Sequence, residues 1–266
     1  MYLNAGCEIE YEINTPTTFV LMLRPRSGYG QWVAEERYAI SPKVPITEYI
    51  DNYGNLCQRL VAAEGPFTVT ASAGVETVPI IDVAVGAPFT PIQELPDNVL
   101  QYLLPSRYCQ SDLMVDLATE ITAEATAGYD QVEAIRSWIQ TNIEYRYGTS
   151  NVSTTAHDTA TQRIGVCRDF AHLGITLCRS LDIAARMVVG YLYELKPMDL
   201  HAWFEAFVGG RWYTFDATQT EPRGGRIVIA YGRDAADVAL ATQFGSATLT
   251  KMRVWVNNEE GNESAG

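Results

Sequence analysis

Residues 166–181, VCRDFAHLGITLCRSL, carry two different apolar stripes along one helix. Val166, Phe170, Leu173, Leu177 and Leu181 recur every three or four positions and form a broad face of large side chains. Cys167, Ala171, Gly174 and Cys178 form a second stripe made only of small residues. A stripe of that kind lets a neighbouring element approach the helix backbone closely. Gly165 gives the chain a flexible entry, and Asp169 in the first turn complements the positive end of the helix dipole.

The segments around this helix divide into β, then helical, then β. In CEIEYEI, Cys7, Ile9, Tyr11 and Ile13 alternate with Glu8, Glu10 and Glu12, the period of a half-buried strand. FVLMLRP, WVAEERYAI and FTVTASA read as further strands, and DNYGN at 51–55 as a turn. Short strands between turns predict a β-sandwich-like domain over residues 1–85. The proline-rich GAPFTPIQELPDN marks a linker over 86–97. Beyond it, Val132, Ile135, Ile139 and Ile143 fall at helical spacing, and Leu113, Leu117 and Ile121 make a weaker pattern. A polar stretch, NIEYRYGTSNVSTTAHDTATQRIG, leads to the cysteine helix. The runs ARMVVGYLYE, HAWFEAFV and RWYTFDAT follow as strands of a small antiparallel sheet, and LTKMRVWV as a last strand. This order predicts an α+β core over 98–256, closed by a disordered tail over 257–266.

Composition narrows the class of partner. A formal charge of −13 argues against nucleic acid and anionic membrane surfaces. No apolar run reaches the length of a membrane span, and the first residues lack the pattern of a secretory leader. The five cysteines, Cys7, Cys57, Cys109, Cys167 and Cys178, are odd in number and show no CxxC spacing. They fit a reducing compartment better than a disulfide framework or a zinc site. The expectation is a cytoplasmic protein with no metal and no cofactor, of open oligomeric state.

Cys167 stands where a helix begins, and unpaired N–H groups at such a position stabilise a thiolate or an oxyanion. A buried structural thiol is the alternative reading. A nucleophile needs a base, and the base an orienting group. His172, five residues on, points about 140° around the helix from Cys167, and His157 lies in the polar stretch. His201 remains. DLHAWFEAFVGGRWYTFDAT reads as two strands joined by Gly209-Gly210. In the register of a two-residue turn, Val208 faces Arg211 and Trp203 faces Asp216. Asp216 is then the diagonal neighbour of His201 on one face, where a carboxylate can fix the imidazole tautomer. A three-residue turn would send Asp216 to the opposite face.

At these motifs the sequence resembles the transglutaminase-like superfamily, in particular its bacterial members of the cysteine-protease type. GVCRDFAHLGITLCRSLDIAARMVVGYL is similar to that family's cysteine helix and following strand, DLHAWFEAFV to its histidine strand, and WYTFDAT to its aspartate strand. The resemblance spans about Leu104–Thr218 closely, and the β-rich segment with LRP and DNYGN more loosely. It implies a papain-like core in which the cysteine helix packs on an antiparallel sheet. It also implies Cys167 as nucleophile, His201 as base and later acid, and Asp216 as orienter. The activity implied is amide or peptide hydrolysis by acyl transfer through a thioester, on a peptide or protein substrate. A transamidase joining glutamine to an amine, and a binding module that keeps the fold without turnover, are the alternatives. Tyr145 or Tyr147 could supply a second oxyanion donor, and Trp203 could wall the cleft.

Overall fold

A computed structural model describes residues 1–28 and 30–258. Six strands open the chain: β1 (Tyr2–Ile13), β2 (Thr17–Leu21), β3 (Gln31–Ser41), β4 (Ile46–Ile50), β5 (Leu56–Ala62) and β6 (Gly65–Thr77). Helices follow: the single turn α1 (Asp97–Leu100), then α2 (Val115–Ile121), α3 (Tyr129–Asn142), α4 (Ala156–Gln162) and α5 (Cys167–Arg179). Two-residue strands, β7 (Glu144–Tyr145) and β8 (Ile164–Gly165), bracket α4. The chain continues through β9 (Ala185–Leu192), β10 (His201–Val208), β11 (Arg211–Phe215), β12 (Arg226–Gly232), β13 (Ala241–Phe244) and β14 (Ala247–Asn258).

The strands of the first third build two facing antiparallel sheets, ordered β14-β1-β6-β3 and β13-β2-β5-β4. The alternation read in β1 holds: Cys7, Ile9, Tyr11 and Ile13 are buried, and the glutamates between them are not. They meet Phe19, Leu21, Leu60, Phe67 and Val69 in one apolar cluster, where the rings of Phe19 and Phe67 stack at 5.6 Å. Each sheet takes an edge strand from far along the chain. The run LTKMRVWV, expected within the 98–256 unit, lies in β14 and pairs with β1 from Leu3↔Asn258 to Ile13↔Ala247. β13 likewise pairs with β2. The hydrophobic residues of β14 offer period 2 but no address, and the long free edge of β1 supplies one. Asn257 and Asn258, expected in the tail, belong to β14. The rest of the expected tail, 259–266, lies outside the described residues.

The other half is α+β. Its sheet runs β11-β10-β9-β12, antiparallel throughout. Helix α5 packs on β10 and β9, with α2, α3 and α4 around its remaining sides. Both stripes of α5 are used. Phe170, Leu173 and Leu177 are buried, and the small stripe admits β10: a Cβ on Gly174 would stand 2.5 Å from the Phe204 ring. In α3, Val132, Ile135 and Ile139 are fully buried as their spacing predicts. The weaker pattern resolves differently. Leu113 is exposed and precedes α2, whose buried residue is Ala118. Within the polar stretch before the cysteine stands α4, opened by a reciprocal cap in which Thr155 and Asp158 bond each other's backbone N–H.

Residues 86–97 run along this half. Ala87 O accepts from Tyr129 N at 2.9 Å, and Pro88 O from Gly209 N at 2.8 Å. The two halves meet in a shared cluster that joins Leu3, Ala5, Val75 and Val256 to the residues around α5. A polar clamp adds direction. Strand β12 ends its sheet, leaving backbone groups that need partners. Gln31 donates to Val228 O at 2.9 Å and accepts from Val228 N at 2.7 Å. Asn55 does the same with Tyr231 O and N, both at 2.8 Å. Two side-chain amides thus take the place of a further strand.

Candidate active site

The start of α5 is held from below and behind. Gly165 pairs with Tyr145 across β8 and β7, and Val166 is extended, so the helix begins at Cys167. Asp169 is fully buried and accepts from Val166 N at 2.9 Å through Oδ2. Its other oxygen accepts from Ser150 Oγ at 3.0 Å and from Arg168 Nε at 3.2 Å. A side chain at 165 would collide with Asp169, since a Cβ there would sit 2.8 Å from the Asp169 Cβ. Glycine at 165 and aspartate at 169 therefore fit each other, and together they fix Cys167 at the mouth of the helix. Cys167 is partly exposed, whereas Cys7, Cys57, Cys109 and Cys178 are buried.

The hairpin register is the one the Gly-Gly turn predicts. Val208 faces Arg211 and the ladder runs to Phe204↔Phe215. Gly209 and Gly210 have φ of 56° and 79°, the left-handed pair that a two-residue turn of this hand requires. One step beyond the ladder, His201 Nε2 meets Asp216 Oδ2 at 2.8 Å, both side chains buried. Thr218 completes the carboxylate, donating to Oδ1 from N at 3.0 Å and from Oγ1 at 2.7 Å. Cys167 lies near enough to act on the His201 imidazole, and the two side chains line one cavity. With Nε2 committed to Asp216, Nδ1 is the ring nitrogen left to serve the sulfur. The structure thus brings Cys167, His201 and Asp216 together.

Charge is concentrated here. Burial acts to lower the imidazole of His201, but the Asp216 charge and hydrogen bond, with Cys167, outweigh it and push it up to about 9. Burial would raise the Asp216 carboxyl. The charges of His201 and Arg226, with hydrogen bonds from His201 and Thr218, hold it well below the usual carboxylate range instead. Arg226, the first residue of β12, places Nη2 2.9 Å from Asp216 Oδ2 and lies over the Trp203 ring at 4.9 Å. An arginine opening a strand looks like a surface residue in sequence, and nothing there marked it. Trp203 is core: it is fully buried, 6.1 Å from the His201 ring between centroids.

The other histidines stand elsewhere. His157 is exposed on α4. His172 is fully buried, stacked on Tyr108 at 5.0 Å, and its Nε2 accepts from Ala235 N at 3.1 Å. Burial, with Arg168 and Arg179 nearby, keeps it well below its ordinary value and therefore neutral. Tyr145 lies beside Cys167. Burial, then the Cys167 charge and a bond with Tyr147, raise its hydroxyl above the ordinary value. Among the described residues, no three histidine, cysteine or acidic side chains converge as a metal would need. No helix among them is long and apolar enough to cross a membrane.

A cavity of about 350 Å³ opens against Cys167 and His201. Its walls are mostly aliphatic, from β9, β10 and the segment after β12, with Tyr108 and Arg168 at the side of the cysteine.

The family model of the transglutaminase-like superfamily matches residues 115–217, a span that includes Cys167, His201 and Asp216. Among whole-chain relatives, the uncharacterized protein ML0607 of Mycobacterium leprae is 31% identical over 230 residues, covering 82% of each chain. The uncharacterized protein Rv2569c of Mycobacterium tuberculosis is 30% identical over 252 residues, covering 81% of this chain and 77% of its own. A solved structure, "a Putative Cysteine Protease from Cytophaga hutchinsonii", superposes with a TM-score of 0.90 at 40% identity, over 97% of this chain and 90% of that one. By likeness of sequence and of fold, the chain belongs to the transglutaminase-like superfamily.

Proposed function

We propose that the protein is a cysteine-dependent amide or peptide hydrolase with Cys167 as nucleophile, His201 as base and acid, and Asp216 as orienter. The observation that carries this reading is the 2.8 Å contact between His201 Nε2 and a buried Asp216, on an imidazole that shares a cavity with a partly exposed thiol at a helix start. His201 holds the thiol proton as the Cys167 sulfur bonds to the carbonyl carbon. The carbonyl oxygen gains the negative charge and is held by the Cys167 N–H, which has no partner within the helix. The Tyr145 hydroxyl, beside Cys167, is the second donor. His201 then returns its proton to the amine as the C–N bond breaks, leaving a thioester. Water, deprotonated by His201, attacks the thioester, and the acid leaves as the sulfur regains its proton. Asp216 keeps the ring oriented and balances the imidazolium in both halves.

Water needs no binding site of its own, which favours hydrolysis over transamidation. The test is incubation with quenched fluorescent peptides, with and without a labelled primary amine. Wild type should release fragments, and Cys167→Ala should be inactive with an unchanged melting temperature. Incorporation of the amine in place of fragment release would assign transamidation. Turnover surviving in Cys167→Ala would sink the scheme.

A further inference from the structure

The cavity beside Cys167 differs sharply in character from the charged cluster that adjoins it. Met187, Val189, Ala202, Val238 and Leu240 give it aliphatic walls. Arg168 and Tyr108, polar side chains on its border, are drawn into other contacts. Arg168 bonds Asp169 and the Asn151 carbonyl, and the Tyr108 hydroxyl donates to Val152 O at 2.8 Å. The wall after β12 is fixed in place. Ala235 N donates to the neutral His172, while the buried Asp234 accepts from Tyr108 N at 2.8 Å and from Ala236 N at 2.9 Å. A polar side chain entering this space would give up water against mostly aliphatic walls that offer few replacement partners. An apolar one would gain roughly 25 cal/mol for each Å² it buries. At about 350 Å³ the space is far larger than the two methylenes of a glutamine side chain require.

We propose that this cavity receives a bulky apolar side chain on the acyl side of the attacked carbonyl, the half that stays on the sulfur. The substrate class is then peptides or amides whose acyl residue resembles leucine, methionine or phenylalanine rather than glutamine or glutamate. This rests on the hydrolase reading and adds to it the choice of substrate.

The test is protection of Cys167 from iodoacetamide by short peptide aldehydes, which add the sulfur to their carbonyl carbon while the thiol proton moves to oxygen. Alkylation is followed residue by residue by mass spectrometry. Leucine and phenylalanine aldehydes should protect at concentrations at least about tenfold lower than glutamine and glutamate aldehydes. Ala239 also lines the cavity, and in Ala239→Phe, whose ring takes up part of that space, the leucine aldehyde should weaken by about tenfold relative to the alanine aldehyde. Equal protection by all aldehydes, or a preference for glutamine or glutamate, would overturn the assignment of the cavity and leave the hydrolase standing. Cys167 reacting no faster than the buried Cys109 and Cys178 would overturn both.

Discussion

Arg226 Nη2 lies 2.9 Å from Asp216 Oδ2, the same oxygen that His201 Nε2 meets at 2.8 Å. All three side chains are buried, so Asp216 depends on two cations and not on one. Replacing Arg226 with methionine keeps volume over Trp203 but removes a counter-charge. The loss should be about 3 kcal/mol of stability, as for other broken buried pairs. Urea unfolding checks it, and the double variant Arg226→Met/Asp216→Asn should recover part of the loss.

The raised imidazole makes a pH prediction with a definite sign. His201 has an ordinary value of 6.5 and stands at about 9 in the fold. Its protonated form is therefore stabilised by folding. That contribution is complete below pH 6.5, declines as the pH rises, and is gone above about 9. Melting temperatures measured across this range should fall in wild type more steeply than in His201→Gln.

Asp216→Asn should be damaging without being equivalent to loss of the nucleophile or base. Where an orienting aspartate alone is removed, losses in kcat near 10⁴-fold are typical, against about 10⁶-fold for the nucleophile or base. In steady-state kinetics Asp216→Asn should keep more activity than His201→Ala and Cys167→Ala, which should be about equally impaired. Full activity in Asp216→Asn would remove the carboxylate from the scheme.

Gly174→Ala places a methyl group where the Phe204 ring already stands, 2.5 Å away. Overpacking of this kind costs about 1–3 kcal/mol. Adding Phe204→Leu should restore part of it, and urea midpoints of wild type, the two single variants and the double variant measure the coupling.

Asn55→Ala leaves Tyr231 N and O without their amide partner at the edge of β12. A buried donor or acceptor left unpaired costs about 1–3 kcal/mol. Amide hydrogen exchange at Tyr231 should accelerate in this variant. Exchange in the interior ladder between β9 and β10 should change least.

The legible parts of this fold were those set by local rules. The Gly209-Gly210 turn fixes a register, and the register alone carries Asp216 to the face of His201. Likewise the small stripe of α5 foretells the close approach that Phe204 makes. What stayed hidden depends on partners remote in the chain. Nothing within LTKMRVWV names β1 as its neighbour, because any alternating strand would satisfy its period. Arg226 is informative only once Asp216 is seen beside it. Helix α4 is polar and lacks an apolar stripe, although Thr155 and Asp158, three apart, were a readable start signal.

The placement of β13 and β14 bears on how the polypeptide is made. As it emerges from the ribosome, β1 and β2 appear early, yet each must wait through more than two hundred further residues for its outer neighbour. Throughout that interval the nascent chain exposes two ready templates for mispairing. The glutamates that alternate along β1 would then act as gatekeepers, discouraging aggregation until synthesis reaches the closing strands.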